Sequence, residues 1–118
     1  MELNVAADRL SALAQPNRLA VFRLLVSAGK GGVAAGEIAS ALAIPPSTLS
    51  AQLSVLARAG LIDQERRGRS LVYRANFKIM GDLMVYLVED CCQGRPELCA
   101  QIADGSARLM SCADESEC

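Results

Sequence analysis

The sequence contains no histidine, and none of its five cysteines precedes Cys91. Without histidine the chain lacks the usual nitrogen ligand of zinc sites and the commonest general base of enzymes. It also has no Cys-x-x-Cys pair and no phosphate-binding glycine loop. A thiol enzyme such as a reductase is therefore disfavoured, and we expect no enzymatic activity.

Long apolar runs are absent as well, since no stretch reaches the roughly 18 residues that would cross a bilayer. The first residues, Met-Glu-Leu-Asn-Val, lack the basic region and apolar stretch of a secretory signal. With 118 residues, 52% of them hydrophobic, the chain has the size of one domain and is too apolar to be disordered. We expect a cytoplasmic protein with no membrane partner, whose modest core favours a dimer.

The formal net charge of −1 conceals an uneven distribution along the chain. Residues 9–80 carry ten Lys and Arg against three carboxylates, a net charge of +7, whereas residues 81–118 carry −6. A basic body of this kind favours a polyanionic partner. The alternative, a solvated surface with chance clustering, stays open on charge alone.

Hydrophobic spacing predicts a chain that is mostly helical. The predicted helices are a first helix that ends at Pro16, followed by helices over about 17–28, 35–42, 47–59 and 77–90. Ser47 or a neighbour is expected to cap the fourth helix. Residues 95–110 are predicted to form a further short helix, and residues 111–118 to fray.

After Gly60 the hydrophobic period changes from 3.6 to 2. Residues 61–65 and 70–74 are predicted to be strands joined through the charged tip Arg66-Arg67-Gly68-Arg69. Two short helices, a tight turn and a charged hairpin predict an α+β, mostly helical, winged helix-turn-helix. We expect residues 1–90 to form this domain and residues 91–118 to form a separate cysteine-containing segment.

The fourth helix has the length that fits a major groove, where side chains near the N-terminus meet base edges. The candidate DNA contacts on it are Ser47, Thr48, Ser50, Ala51 and Gln52. Gln52 is expected to pair with adenine through two hydrogen bonds. At the hairpin, Arg66, Arg67 and Arg69 are expected to reach phosphates or a narrow minor groove. Helix capping and a solvated turn remain the alternatives for any one of these residues.

Four stretches together carry a family resemblance: Leu13–Leu19, Gly36–Ala39, Ser47–Leu61 and Arg67–Arg69. With them the chain resembles the ArsR/SmtB family of metal-responsive repressors over about residues 6–90. The resemblance implies a winged-helix homodimer, joined through its first and last helices, that binds an inverted-repeat operator without any cofactor. It also implies that an inducer releases the protein from DNA. At Gln52, where the family commonly has histidine, this chain keeps a hydrogen-bonding side chain.

The resemblance also shows which inducer sites of the family are missing. Many arsenic-sensing members carry Cys-x-Cys in the helix before the recognition helix, where this chain has Ala39 and Ala41. Members that sense zinc, nickel or cobalt use histidine and carboxylates on the last helix, and this chain has no histidine. Cadmium and lead sensing through an N-terminal cysteine site is excluded because the first cysteine is Cys91.

The segment Glu89–Cys99 is similar to a subgroup of arsenic repressors with an adjacent cysteine pair after the last helix and a third cysteine a few residues on. The resemblance implies that Cys91, Cys92 and Cys99 bind trivalent arsenic, as arsenite or methylarsenite, or antimonite. Thiolates are the ligands that soft ions prefer, so three cysteines suit trivalent arsenic or antimony. Cys112 and Cys118 are expected to be accessory thiols.

Two other interpretations of the cysteines stay open. Cys91 continues the apolar spacing of Leu83 and Leu87 and would then be a buried core thiol. The same cysteines would alternatively serve a repressor that responds to oxidation or reactive sulfur. An odd number of cysteines without an export signal disfavours structural disulfides.

Overall fold

The computed structural model describes residues 1–89, 100–102 and 104–105. The chain divides into two compact units, Met1–Tyr86 and Leu87–Cys118. In the second unit, residues 100–102 and 104–105 are helical, within the short helix predicted over 95–110. The part of the chain described contains no helix long and apolar enough to cross a membrane.

The helices are α1 (Leu3–Leu13), α2 (Pro16–Ala28), α3 (Ala35–Leu42), α4 (Pro46–Arg58) and α5 (Phe77–Val88). The strands are β1 (Val33–Ala34), β2 (Ile62–Arg67) and β3 (Ser70–Ala75). Their order along the chain confirms the predicted winged helix-turn-helix. Helices α3 and α4 form the helix-turn-helix, and the β2–β3 hairpin forms the wing.

Proline begins two of the helices. Pro16 and Pro46 each occupy the first turn of their helix, where the missing N–H has no intrahelical acceptor to lose. The N-cap residue of α4 is Pro45 and no side chain caps the helix by a hydrogen bond, so the predicted side-chain cap from Ser47 or a neighbour is not formed. Ser47 is already inside the helix because the fixed φ of Pro46 starts it one residue earlier.

The sheet is antiparallel, with β3 between β1 and β2. Arg66 and Arg67 belong to β2 and lie opposite Leu71 and Ser70, so the wing is longer than predicted and its tip is shorter. The two-residue strand β1 was not predicted, because so short a segment has no period. It lies against β3 next to Gly32 (φ 74°), where a Cβ would stand 2.6 Å from the carbonyl oxygen of Tyr73.

The core of the first unit lies beneath α4. Leu49, Leu53 and Leu56 are all buried, as their spacing predicts. They belong to one hydrophobic cluster with buried side chains from other helices and from the sheet. Among these are Val21, Phe22, Leu25, Ile38, Leu61 and Tyr73.

The first and last helices bury much less of their apolar surface. In α1 only Ala6 and Ala12 are buried, while Leu10 is 40% exposed. In α5 Leu83 is buried, yet Met84 and Val85 are exposed. Both helices therefore present large apolar side chains that are exposed in the single chain.

Candidate nucleic-acid interface

A tight turn sets the recognition helix α4 against α3. Ala43 takes the left-handed conformation (φ 53°, ψ 43°), and the N–H of Ile44 donates to the carbonyl of Ala39 at 3.1 Å. The Ile44 side chain is buried and fixes the turn to the core. The residues that follow the turn, from Pro45 to Thr48 at the start of α4, are exposed.

The exposed side of α4 carries short polar side chains. Ser47, Ala51, Ser54 and Arg58 follow each other at spacings of four, three and four residues and therefore lie along one stripe. Ser47, Ala51 and Arg58 are exposed and Ser54 is half-buried. The predicted Thr48 and Ser50 are also exposed and border this stripe.

Arg58 is not among the DNA contacts predicted from the sequence, although its spacing places it with them. It lies eleven residues, about three turns, after Ser47 and carries the one positive charge of α4. A cation on the last turn also interacts favourably with the C-terminal end of the helix dipole. Arg58 is therefore available to a DNA phosphate on the same side as the predicted contacts.

Gln52 has a different environment from the other candidates on this helix. It lies three residues after Leu49 and four before Leu56, both buried, so it borders the core side of α4. Its side chain is half-buried, and its Oε1 accepts a hydrogen bond from Nη1 of Arg18 at 3.0 Å.

The register of the wing separates the three predicted arginines. Arg66 lies opposite Leu71, on the face that also holds Tyr73, whereas Arg67 lies on the other face. Arg66 and Arg69 line one cleft with Gly36 of α3. Neither forms an ion pair within residues 1–89.

Arg67 is engaged by an acidic neighbour. Its Nη2 lies 3.2 Å from Oε2 of Glu65, and Nη1 of Arg74 lies 2.9 Å from the same oxygen. The hydrogen bond from Arg67, then the hydrogen bond from Arg74 and the charges of both, lower the pKa of Glu65. Glu65 therefore stays ionised and offsets part of the positive charge on this face of the wing.

The predicted inducer ligands and accessory thiols are the five cysteines of the chain. Cys91, Cys92, Cys99, Cys112 and Cys118 are all outside the described residues. Among the residues that are described, no group of three or more Cys, Asp or Glu side chains is arranged to hold a metal ion.

Known proteins resemble this arrangement. A helix-turn-helix domain family matches residues 13–65. The transcriptional regulator NmtR of Mycobacterium tuberculosis is 39% identical over 67 residues, which cover 57% of this chain and 53% of NmtR. The chain spans about half the length of the curated relatives it matches.

Two solved structures extend the similarity beyond the helix-turn-helix. A crystallised 100-residue fragment of a possible transcriptional regulatory protein from Mycobacterium bovis is 31% identical, with a TM-score of 0.59. The match covers 75% of this chain and 94% of that one. In solution the M. bovis fragment is described as a homodimeric winged helix-turn-helix DNA-binding domain of a possible ArsR-family regulator.

A second structure, a possible transcriptional regulator for arsenical resistance, is 26% identical with a TM-score of 0.61. This match covers 80% of the present chain and 95% of the regulator. All of these relatives are described as regulators of transcription, in agreement with the expectation of a non-enzymatic protein. The fold, the motifs and the identity together show that the chain belongs to the ArsR/SmtB family of winged helix-turn-helix transcriptional regulators.

Proposed function

We propose that the protein is a homodimeric, cytoplasmic repressor that leaves its operator when trivalent arsenic or antimony binds its C-terminal cysteines. The observation that carries the DNA-binding part is the exposed stripe of α4 together with a wing in which Arg66 and Arg69 form no ion pair among the described residues. Short side chains let α4 approach base edges, and the arginines neutralise phosphates.

The DNA contacts proposed on α4 are Ser47, Thr48, Ser50 and Ala51, together with the exposed Arg58. On the wing, Arg66 and Arg69 share the cleft that faces α3 and are proposed to hold the DNA backbone. Arg67 contributes less, because Glu65 already neutralises it. No cofactor is needed for these contacts.

The exposed apolar faces of α1 and α5 support the homodimer. Leu3 and Leu10 on α1 and Met84 and Val85 on α5 are each at least 40% exposed in the single chain. A second copy would cover these faces and place two recognition helices about one DNA turn apart, as an inverted-repeat operator requires. The homodimeric M. bovis domain supports the same arrangement.

Support for the inducer comes from the donor atoms. Cys91, Cys92 and Cys99 supply three soft thiolates, the number and type that a trivalent metalloid prefers, with Cys112 and Cys118 as accessory thiols. Similarity to a possible regulator for arsenical resistance supports the same class of inducer. Binding just after α5 would bias the dimer toward a spacing that fits DNA poorly, a coupling between two sites.

The test is a DNA-release screen with the full chain. DNA enriched from a random library is first bound by the protein, and arsenite, methylarsenite, antimonite, Cd(II), Zn(II) and an oxidant are then added separately. The proposal expects release by the trivalent arsenic or antimony compounds at concentrations at least tenfold below those of Cd(II) or Zn(II).

The matched control is the double variant Cys91→Ser/Cys92→Ser, which should bind DNA as well as the unaltered chain and resist release. Release of this variant at the same inducer concentration would contradict the proposed site. Release by oxidant alone, with an intramolecular disulfide and no metalloid adduct in the mass spectrum, would instead establish a redox-responsive repressor.

A further inference from the structure

Arg18 connects three helices through one side chain. It lies in the first turn of α2, and its Nε donates to the carbonyl of Ala12 in the last turn of α1 at 2.6 Å. Its Nη1 donates to Oε1 of Gln52, midway along α4, at 3.0 Å. The guanidinium therefore ties the end of the first helix to the recognition helix.

The backbone at Arg18 is fixed from the other side. The N–H of Arg18 donates to Oε1 of Gln15, the N-cap residue of α2, at 2.9 Å. Arg18 and Gln52 are both half-buried, and charged hydrogen bonds in such surroundings hold their geometry better than those on an open surface. The contact joins residues 34 positions apart in the chain, so it constrains tertiary structure rather than a single helix.

A second arginine joins the same two helices further along. Nε of Arg9, in the middle of α1, donates to the carbonyl of Ala59 at 3.1 Å. Ala59 is the C-cap residue of α4, where a cation both satisfies an unpaired carbonyl and favours the helix dipole. The recognition helix is thus held to α1 at its C-terminal end by Arg9 and at its middle through Arg18.

These contacts bear directly on what Gln52 does. A bidentate contact with adenine needs both the oxygen and the amide nitrogen of glutamine turned toward the base. Here Oε1 is turned toward Arg18, and Gln52 lies about 100° around the helix from its exposed neighbour Ala51. Its position thus favours support of the helix over the adenine contact that the sequence predicts.

We propose that Arg18 and Gln52 form a latch that positions the recognition helix against α1, and that Gln52 is a positioning residue and not a base-reading residue. The inference rests on the proposed DNA-binding function. Because α1 also presents part of the proposed dimer interface, the latch lies between the dimer contact and the DNA-facing stripe. It transmits the spacing of the dimer to α4.

The experiment is a selection from random double-stranded DNA with the unaltered chain, Arg18→Ala, Gln52→Ala, their double variant and Gln52→Glu. Affinities for the enriched sequence are then measured at one fixed salt concentration. Arg23→Ala, which removes an exposed arginine from the same helix, is the matched control for loss of charge. Thermal unfolding of every variant accompanies the binding data.

The latch predicts that Gln52→Ala and Arg18→Ala each bind about tenfold more weakly but enrich the same sequence as the unaltered chain. The double variant should be no weaker than Arg18→Ala alone, because both substitutions break one contact. Gln52→Glu should keep the enriched sequence and regain most of the affinity, since a carboxylate also accepts a hydrogen bond from Arg18. Arg23→Ala should bind no more than about threefold more weakly.

A base-reading Gln52 gives the opposite pattern, and it would overturn the proposal. Gln52→Ala would then lose the preference at one position in each half-site, and Gln52→Glu would change that position from adenine to cytosine. Additive losses in the double variant would equally contradict the latch.

If the unaltered chain enriches no sequence at all, the proposed DNA-binding function is what fails. The thermal unfolding of the variants then tests the Arg18–Gln52 latch separately. Arg18 and Gln52 should remain coupled by about fivefold in the unfolding equilibrium constant, and independent effects of the two substitutions would refute it.

Discussion

Arg66 and Arg67 are adjacent in the sequence but lie on opposite faces of the wing. Arg66 lies opposite Leu71 on the inner face and lines the cleft beside α3, whereas Arg67 lies opposite Ser70 and pairs with Glu65. The alternation of side chains along β2 therefore decides which of the two arginines lies beside Glu65 and which has no such partner there.

Arg66→Ala and Arg67→Ala should consequently differ in DNA binding. Loss of Arg66, or of Arg69, is expected to lower the slope of log affinity against log salt by about 1, since each arginine neutralises one phosphate. Arg67→Ala is the matched control and should change the slope by less than half as much. DNA-binding titrations from about 0.05 to 0.2 M salt measure the slope. Equal slopes for Arg66→Ala and Arg67→Ala would contradict the different roles of the two arginines.

The architecture could be predicted from the sequence because the hydrophobic period agrees with the positions of the prolines and glycines that bound the helices and strands. Leu49, Leu53 and Leu56 recur at helical spacing and are all buried, and the change of period after Gly60 located the wing. Two local errors have local causes. Pro46 moved the start of α4 ahead of Ser47, and β2 continued through Arg67.

The environment of single side chains was less accessible from the sequence. Arg18 and Gln52 are 34 residues apart, and nothing in their spacing shows that they meet. The pairing of Arg67 with Glu65, two residues earlier in the same strand, depends on β2 continuing through Arg67, whereas the hydrophobic pattern predicts a strand that ends at residue 65. Arg58, in contrast, was within reach, since it continues the stripe begun by Ser47. The cysteine prediction depends on donor chemistry and family resemblance alone.

The turn of the helix-turn-helix contains a correctable strain. Ala43 has a left-handed backbone (φ 53°), where a Cβ is unfavourable and glycine is not. Ala43→Gly should raise the free energy of unfolding by about 0.5–1 kcal/mol. The control is Ala41→Gly, two residues earlier inside α3, which should lower it by about 1 kcal/mol. Chemical denaturation measures both, and a destabilised Ala43→Gly would show that the turn gains nothing from glycine.

Glu65 should make a small, pH-dependent contribution to stability. Its pKa is lowered in the folded protein by Arg67 and Arg74, so its contribution is fully present above the unfolded pKa of about 4.3. That contribution is lost as the pH falls through the lower folded pKa. Glu65→Gln is therefore expected to melt below the unaltered chain at pH 7.

The difference in Tm between Glu65→Gln and the unaltered chain should shrink as the pH falls below about 4. High salt should reduce this difference at every pH, since Glu65 and Arg67 are exposed and Arg74 is partly exposed. Asp63→Asn, which removes an exposed carboxylate two residues away that forms no ion pair within residues 1–89, is the control. A Tm difference that grew toward acid pH would contradict the lowered pKa of Glu65 in the folded protein.

The exposed apolar face of α5 should govern assembly. Val85 is 61% exposed in the single chain, so a charge there costs little in the monomer but would be buried unpaired in the proposed dimer. Val85→Glu is expected to raise the dimer dissociation constant at least tenfold, while its far-ultraviolet circular dichroism stays unchanged. Lys78→Glu, an exposed position on the same helix paired only with Asp82 among the described residues, should leave the dimer within about threefold. Sedimentation velocity over a range of concentrations distinguishes the two variants.

Because two half-sites bind together only through the dimer, Val85→Glu should also lose affinity for an inverted repeat but not for a single half-site. Equal losses on both DNAs would mean that α5 supports the DNA-binding fold itself and not its pairing.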